Sequence, residues 1–424
     1  MLIDIKLANF KSIKSKQTFS MIASNKVSEL SDNVFTIKKR KFLKSAILYG
    51  ANGSGKSNLI YAFNTIHNLV NYSANNKIGE PLIYYLPHLL DSNSQEQPCE
   101  VEIRFLGKND LEYNYFLSFN QNKVIEETLN FYPGKNPALL FERKDGQKIK
   151  YGSALKQNLS RIENSLYDNQ LFLSKVGSEK VEALIQPYTF LTRHISVHNM
   201  HDTTYDNLLV QALSRTLTQP NKSHIKHNIT QLMKVADIGI RDMLFENFSE
   251  EKLLPESNNE SRRVGKDVEI NTIHKKYKNE EEAGEIQFPI QLESTGTNKL
   301  LSVGLFLLEA LDDGDVIIID ELDKSLHPFI TKLLIQIINS RKTNPKNAQL
   351  IFASHDVSLL NNKLFRRDQI HFAEKTIKGE SCYYQLSDVA GVRQSVSYEK
   401  YYMNGLFGGV PLINQYDLDF KFNK

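Results

Sequence analysis

Eight consecutive residues, Gly50-Ala51-Asn52-Gly53-Ser54-Gly55-Lys56-Ser57, have the spacing GxxxxGK[ST], and their types suit one chemistry. Glycines let backbone N–H groups turn inward around phosphate oxygens, the lysine neutralises terminal phosphate charge, and the serine hydroxyl is a ligand for Mg²⁺. Far downstream, Val316-Ile317-Ile318-Ile319-Asp320-Glu321 is an apolar run that delivers two carboxylates at its end. Asp320 suits metal coordination and Glu321 suits polarising an attacking water. Each run has a bland reading, a glycine-rich turn or an acidic strand end. Together they point to a nucleoside-triphosphate site.

Such a site needs a strand before the glycines and a helix after them. The apolar stretch Phe42 to Tyr49 reads as a buried strand, and Lys56 to Tyr72 places Leu59, Ile60, Ala62, Phe63, Ile66 and Val70 on one helical face. Around the acidic pair, Asn298 to Leu311 reads as an apolar helix, Val316 to Ile319 as a strand, Pro328 to Ser340 as a helix and Gln349 to Ala353 as another buried strand. Leu2 to Leu7 is a short strand. Cys99 to Phe119 gives two alternating runs joined at Gly107, Asn109 and Asp110, and Val124 to Phe131 extends them into an antiparallel sheet. Helical periodicity marks Asn164 to Phe172 and His227 to Ile238, and the polar stretch Asn247 to Asp267 reads as an exposed linker. The pattern predicts an α/β fold in three segments, 1–150, 151–267 and 268–424.

Composition narrows the classes further. Of 424 residues, 41% are hydrophobic and 24% charged, which fits a globular chain and excludes a disordered or fibrous one. The balance of 52 basic against 49 acidic residues is too even for a surface that binds polyanions throughout. The basic runs Lys222 to Lys226, Arg262-Arg263 and Lys275 to Lys278 could contact nucleic-acid phosphate, but such runs are more often solvated faces, and no base-reading motif accompanies them. Two cysteines without CxxC spacing argue against a disulfide framework and point to the cytoplasm. No stretch reaches the length of a membrane span.

The residues flanking the acidic pair carry a family resemblance. Leu322-Asp323-Lys324-Ser325-Leu326-His327-Pro328 resembles the D-loop of the ABC/SMC-type ATPases. Leu292-Glu293-Ser294-Thr295-Gly296-Thr297-Asn298 is similar to their signature loop, and Ser354-His355-Asp356 to their switch histidine. Asn9-Phe10-Lys11-Ser12 resembles the NF-[RK]-S element of the SMC, RecF and OLD ATPases. The Glu293 to Thr297 run and the tail Tyr402-Met403-Asn404-Gly405-Leu406-Phe407-Gly408-Gly409-Val410-Pro411 resemble the RloA/AbiL-type AAA ATPases of bacterial abortive-infection operons, relatives of the PARIS ATPase AriA and the OLD ATPase module.

The resemblance implies an ABC-type P-loop ATPase core with an antiparallel β subdomain and a helical insertion. It implies ATP and Mg²⁺ as cofactors, with Ser57 and Asp320 on the metal and Glu321 and His355 as catalytic residues. Lys11, Gly50, Asn52, Gly53, Ser54, Gly55, Lys56, Ser57, Asn58, Ser294, Gly296 and Asp323 would contact nucleotide. A homodimer or higher homo-oligomer would sandwich ATP between Lys56 of one copy and Ser294 of the other. The implied role is an ATP-hydrolysing sensor or regulator of anti-phage defence, triggered by phage and controlling a separately encoded nuclease-like effector with a Toprim or RloB-like domain. Two other readings share the phosphate loop. A RecF-like repair ATPase would lack the Glu293 to Thr297 pattern and the tail, and an OLD-type nuclease would need a carboxylate arrangement that Asp388, Glu399, Asp417 and Asp419 do not make. Gln95 and Gln97 do not match a coupling glutamine, which stays unassigned.

Overall fold

The computed structural model of the chain describes residues 1–199, 217, 222–247 and 268–411. Its centre is a six-stranded sheet in the order Ile195–Asn199, Val316–Asp320, Gln349–Ala353, Ser45–Tyr49, Ile370–Lys375 and Ser381–Gln385. The first five strands run parallel and the last is antiparallel. Parallel strands covered on both faces read as unbroken apolar runs. Here Ser45–Tyr49, Val316–Asp320 and Gln349–Ala353 are buried at every position.

Alternate residues of these strands feed two cores. Ala46, Leu48, Val316, Ile318, Ile351 and Ala353 pack with Leu59, Ile60, Phe63 and Ile66 of the Lys56–Tyr72 helix. Ile47, Tyr49, Ile317, Ile319, Leu350 and Phe352 pack with the Thr295–Asp313 and Pro328–Asn339 helices. The first core continues into a seven-stranded antiparallel sheet, through residues such as Ile5, Leu7, Val101, Ile103, Tyr115 and Leu129. The fold is thus mixed α/β with antiparallel sheets, as the sequence pattern predicts.

Register sets the functional end of the molecule. Ile319 pairs with Phe352, and Ala353 with Leu48, so the strands end together at Gly50, Glu321 and Ser354. Ligands of open parallel sheets lie beyond the carboxyl ends of the strands.

Four local departures from the sequence reading have physical causes. Phe42 to Tyr49 is two strands: at Lys44 the backbone N–H donates to Asn33 O while Lys44 O accepts from Leu350 N, so the chain passes from a hairpin into the central sheet. Asn164 to Phe172 is a turn between the Ser160–Asn164 and Phe172–Val176 helices. Asn169 there donates to Lys77 O and Glu80 O, and Gln170 to Ala74 O and Asn76 O. Ile195–Asn199, read within a helical insertion, pairs with Val316–Asp320 as an edge strand of the central sheet. The strand Val268–Lys278, read only as ending in a basic run, pairs with Ile240–Asn247 on one side and Glu281–Pro289 on the other. The polar stretch read after Asn247 lies outside the described residues.

Gln349 joins the two sheets. Its buried side chain accepts from Leu2 N at 2.7 Å and donates to Leu2 O at 3.2 Å and Leu43 O at 3.1 Å. Gln349→Leu strands three backbone groups, at a cost of about 3 kcal/mol. The expected outcome is a lower urea midpoint with an unchanged denaturant slope; an unmoved midpoint would refute the role.

Candidate nucleotide-binding site

The loop after Ser45–Tyr49 depends on glycine at two points. Gly50 has φ +153° and Gly55 has φ +112°. A Cβ on Gly50 would meet Ala373 O at 2.3 Å, and one on Gly55 would meet Ser381 Oγ at 2.3 Å. Gly55 also stands at the N-cap of the Lys56–Tyr72 helix without a capping side chain. The helix therefore opens toward the loop with its positive dipole end.

Lys56 is buried, and its Nζ donates to Gly50 O at 2.7 Å and Ala51 O at 3.2 Å. Burial lowers its pKa, against the attraction of Asp320, Glu321 and Asp323. These three carboxylates come from the end of Val316–Asp320 and the turn after it. Asp320 is 4% exposed. Its Oδ1, with Asp323 Oδ1 and Ser54 Oγ, is buried without a hydrogen-bond partner among the described residues. Buried acceptors of this kind are rare without a ligand or water. Asp320 Oδ1 fits a hard cation, and Ser57 stands exposed on the first helical turn, one residue from Lys56.

Glu321 takes φ +53°, a left-handed conformation uncommon for a residue other than glycine. This turn sets its Oε1 3.9 Å from His355 Nε2, longer than a hydrogen bond. His355 N donates to Asp323 Oδ2 at 3.3 Å, which ties the turn after Gln349–Ala353 to the turn after Val316–Asp320. The structure thus gathers Lys56, Asp320, Glu321, Asp323 and His355 at the strand ends.

The N-terminal element reaches the loop by a route that the sequence does not announce. Ser12 Oγ lies 2.6 Å from Ser381 Oγ and accepts from Asn58 Nδ2 at 2.5 Å. Ser381 Oγ donates to Ser54 O at 2.6 Å, and Tyr383 OH to Gly55 O at 2.7 Å. Ser381 and Tyr383 are the residues sequence reasoning missed. They lie in the short antiparallel strand at the sheet edge, Ser381–Gln385, and only the close approach at Gly55 betrays them. Asn58, assigned to nucleotide by position, gives its amide to Ser12. Lys11 has its ammonium 4.0 Å from the Tyr61 ring centre, and burial lowers its pKa.

Ser294 is exposed and caps the Thr295–Asp313 helix: its Oγ accepts from Thr297 N at 3.1 Å. Gly296 backs onto the D-loop, where a Cβ would lie 3.1 Å from Ser325 O. The tail returns to the phosphate loop, for Tyr402 OH donates to Gly409 O at 3.0 Å and a Cβ on Gly409 would lie 3.7 Å from Gly50 Cα. Gln95 Nε2 donates to Leu89 O within its own turn, and the backbone Gln97 O accepts from Asn9 Nδ2 of the N-terminal element. Among the described residues no helix is long and apolar enough to cross a membrane.

A parallel sheet, a glycine loop between strand and helix, and an acidic strand end facing a buried lysine together define a P-loop ATPase. The chain belongs to the family described as "AAA domain, putative AbiEii toxin, Type IV TA system", whose model matches residues 45–361. No curated protein matches it. Similar solved structures include an SMC head bound to the C-winged helix domain of ScpA, 15% identical, covering 91% of this chain and 97% of that one, with TM-score 0.49. The SMC head domain from Thermotoga maritima is 14% identical over 91% of this chain and 98% of that one, with TM-score 0.40. The recombination mediator protein RecF with ATP is 15% identical over 90% and 97%, with TM-score 0.39.

Gly55→Ala adds a Cβ against Ser381 and a left-handed backbone penalty of about 1–2 kcal/mol. Titration with a fluorescent ATP analogue is expected to show affinity reduced by about tenfold or more; wild-type affinity would contradict the close packing of the loop.

Proposed function

We propose that this protein binds and hydrolyses ATP, that two copies close head to tail around two nucleotides, and that this closure switches a separately encoded nuclease-like effector in anti-phage defence. The observation that carries the reading is the division of the site. Lys56, Asp320, Glu321, Asp323 and His355 converge at the strand ends, while the Ser294 helix terminus is exposed on another part of the same chain. A helix start of that kind binds anions, and a second copy's phosphates are the anions that head-to-tail closure would bring to it.

Lys56 and the N–H groups of the loop bind the phosphates and fix the terminal one for attack. Glu321 orients the attacking water, and His355 hydrogen-bonds the oxygen that gains charge. Asp320 and Ser57 would hold Mg²⁺, which when bound would supply positive charge to offset the negative charge developing on the phosphate groups. Support for a role in conflict comes from the family description, which names a toxin of a Type IV toxin–antitoxin system, together with the Glu293 to Thr297 run and the tail shared with abortive-infection ATPases.

The solution mass of Glu321→Gln, measured with and without Mg-ATP, tests the reading. Binding without turnover should trap the closed dimer, so mass doubles with nucleotide, and Ser294→Arg abolishes the rise. Lys56→Ala should bind no ATP. A mass indifferent to nucleotide would overturn the dimer switch, and equal turnover in wild type and Glu321→Gln would overturn the role of Glu321.

A further inference from the structure

The start of the Thr295–Asp313 helix is held from two sides by side chains outside the signature run. From the Val268–Lys278 strand, His274 Nε2 lies 2.6 Å from Glu293 Oε1, and Thr272 Oγ1 donates to the same oxygen. The Glu293 side chain is 9% exposed and that of His274 17%, so this contact is shielded from the screening that weakens surface pairs. The His274 ring also packs on Phe288, centroids 4.9 Å apart. From the residue after the Ser223–Ala236 helix, Asp237 Oδ2 accepts from Thr297 Oγ1 at 3.2 Å.

These contacts order the hydroxyl between them. A carboxylate only accepts, so the Thr297 proton goes to Asp237. In the 2.8 Å pair of Ser294 Oγ with Thr297 Oγ1, the Ser294 proton therefore goes to Thr297. Ser294 Oγ in turn accepts from Thr297 N at 3.1 Å. Its position is fixed through both its proton and its lone pair, and Glu293, the residue before it, is clamped to the neighbouring strand.

We propose that Thr272, His274 and Asp237 are positioning residues: through Glu293 and Thr297 they hold Ser294 and the helix start it caps, whose backbone N–H groups meet the phosphate of a second copy. This inference rests on the head-to-tail reading above. A clamp of this kind acts on turnover through Ser294 and leaves the affinity of Lys56 for nucleotide untouched, because it touches no residue of the phosphate loop. Losing a hydrogen bond to a charged group corresponds to about a tenfold or larger loss where the bond serves the transition state.

The test is steady-state ATP turnover of Glu293→Ala, His274→Ala and Ser294→Arg, with Glu293→Ala also made in the Ser294→Arg background and thermal melts confirming folding. Turnover is expected to fall about tenfold or more in Glu293→Ala and His274→Ala, while the affinity for a fluorescent ATP analogue stays within about twofold. Glu293→Gln keeps the accepting oxygen and should restore most of the rate. Adding Glu293→Ala to Ser294→Arg should cost nothing further, since both act on one group. Wild-type turnover in Glu293→Ala and His274→Ala, with Ser294→Arg inactive, overturns the positioning role and leaves the dimer reading standing. An additive further loss in the double variant overturns it as well. Wild-type turnover in Ser294→Arg overturns the dimer reading, and the clamp with it.

Discussion

The candidate site depends on the register of the central sheet, where Ile319 stands beside Phe352 and Ala353 beside Leu48. Parallel strands in that register deliver the glycine loop, the acidic pair and His355 to one end of the molecule, although they come from residues about 50, 320 and 355 of the sequence. A slip of one residue would exchange the two cores, because Ile47 and Ile317 serve one face and Leu48 and Ile318 the other. Packing on both faces is therefore what fixes the chemistry.

Within that frame, Lys56 is held between opposing electrostatic influences. Burial lowers its pKa while Asp320, Glu321 and Asp323 pull the other way. Its hydrogen bonds to Gly50 O and Ala51 O bind the cation to the loop that a phosphate would occupy. The same carboxylates that steady the lysine would repel a triphosphate, which is why an acidic cluster at a phosphate site makes physical sense with a cation to bridge them.

Much of this was legible in the residues. The phosphate loop and the acidic strand end carry their chemistry in their spacing, and the Lys56–Tyr72 helix and Gln349–Ala353 strand begin and end where periodicity puts them. What stayed hidden was long-range. Ser381 and Tyr383 act by touching Ser54 and Gly55 from more than 300 positions away, and nothing in the short Ser381–Gln385 strand encodes that approach. His274 lies just before a run that reads as basic, yet its ring meets Glu293 because the Val268–Lys278 strand runs beside the start of the helix. Asn164 to Phe172 has helical periodicity, but side-chain amides at Asn169 and Gln170 satisfy carbonyls of a neighbouring turn instead. Asn199, which ends a strand in the segment read as a helical insertion, pairs with Asp320 itself.

The order of strands also governs when the site can first exist. Ser45–Tyr49 is flanked by Gln349–Ala353 and Ile370–Lys375, so the strand that leads into the glycine loop has neither neighbour until the last fifth of the chain leaves the ribosome. Contacts of such sequence separation form late and slowly. A nascent chain can complete its antiparallel hairpins early, since Cys99–Leu106 and Glu112–Phe119 are adjacent in sequence. It holds an apolar central strand without a sheet for most of its synthesis, and a truncated product lacking the final strands has the glycine loop but no wall behind it.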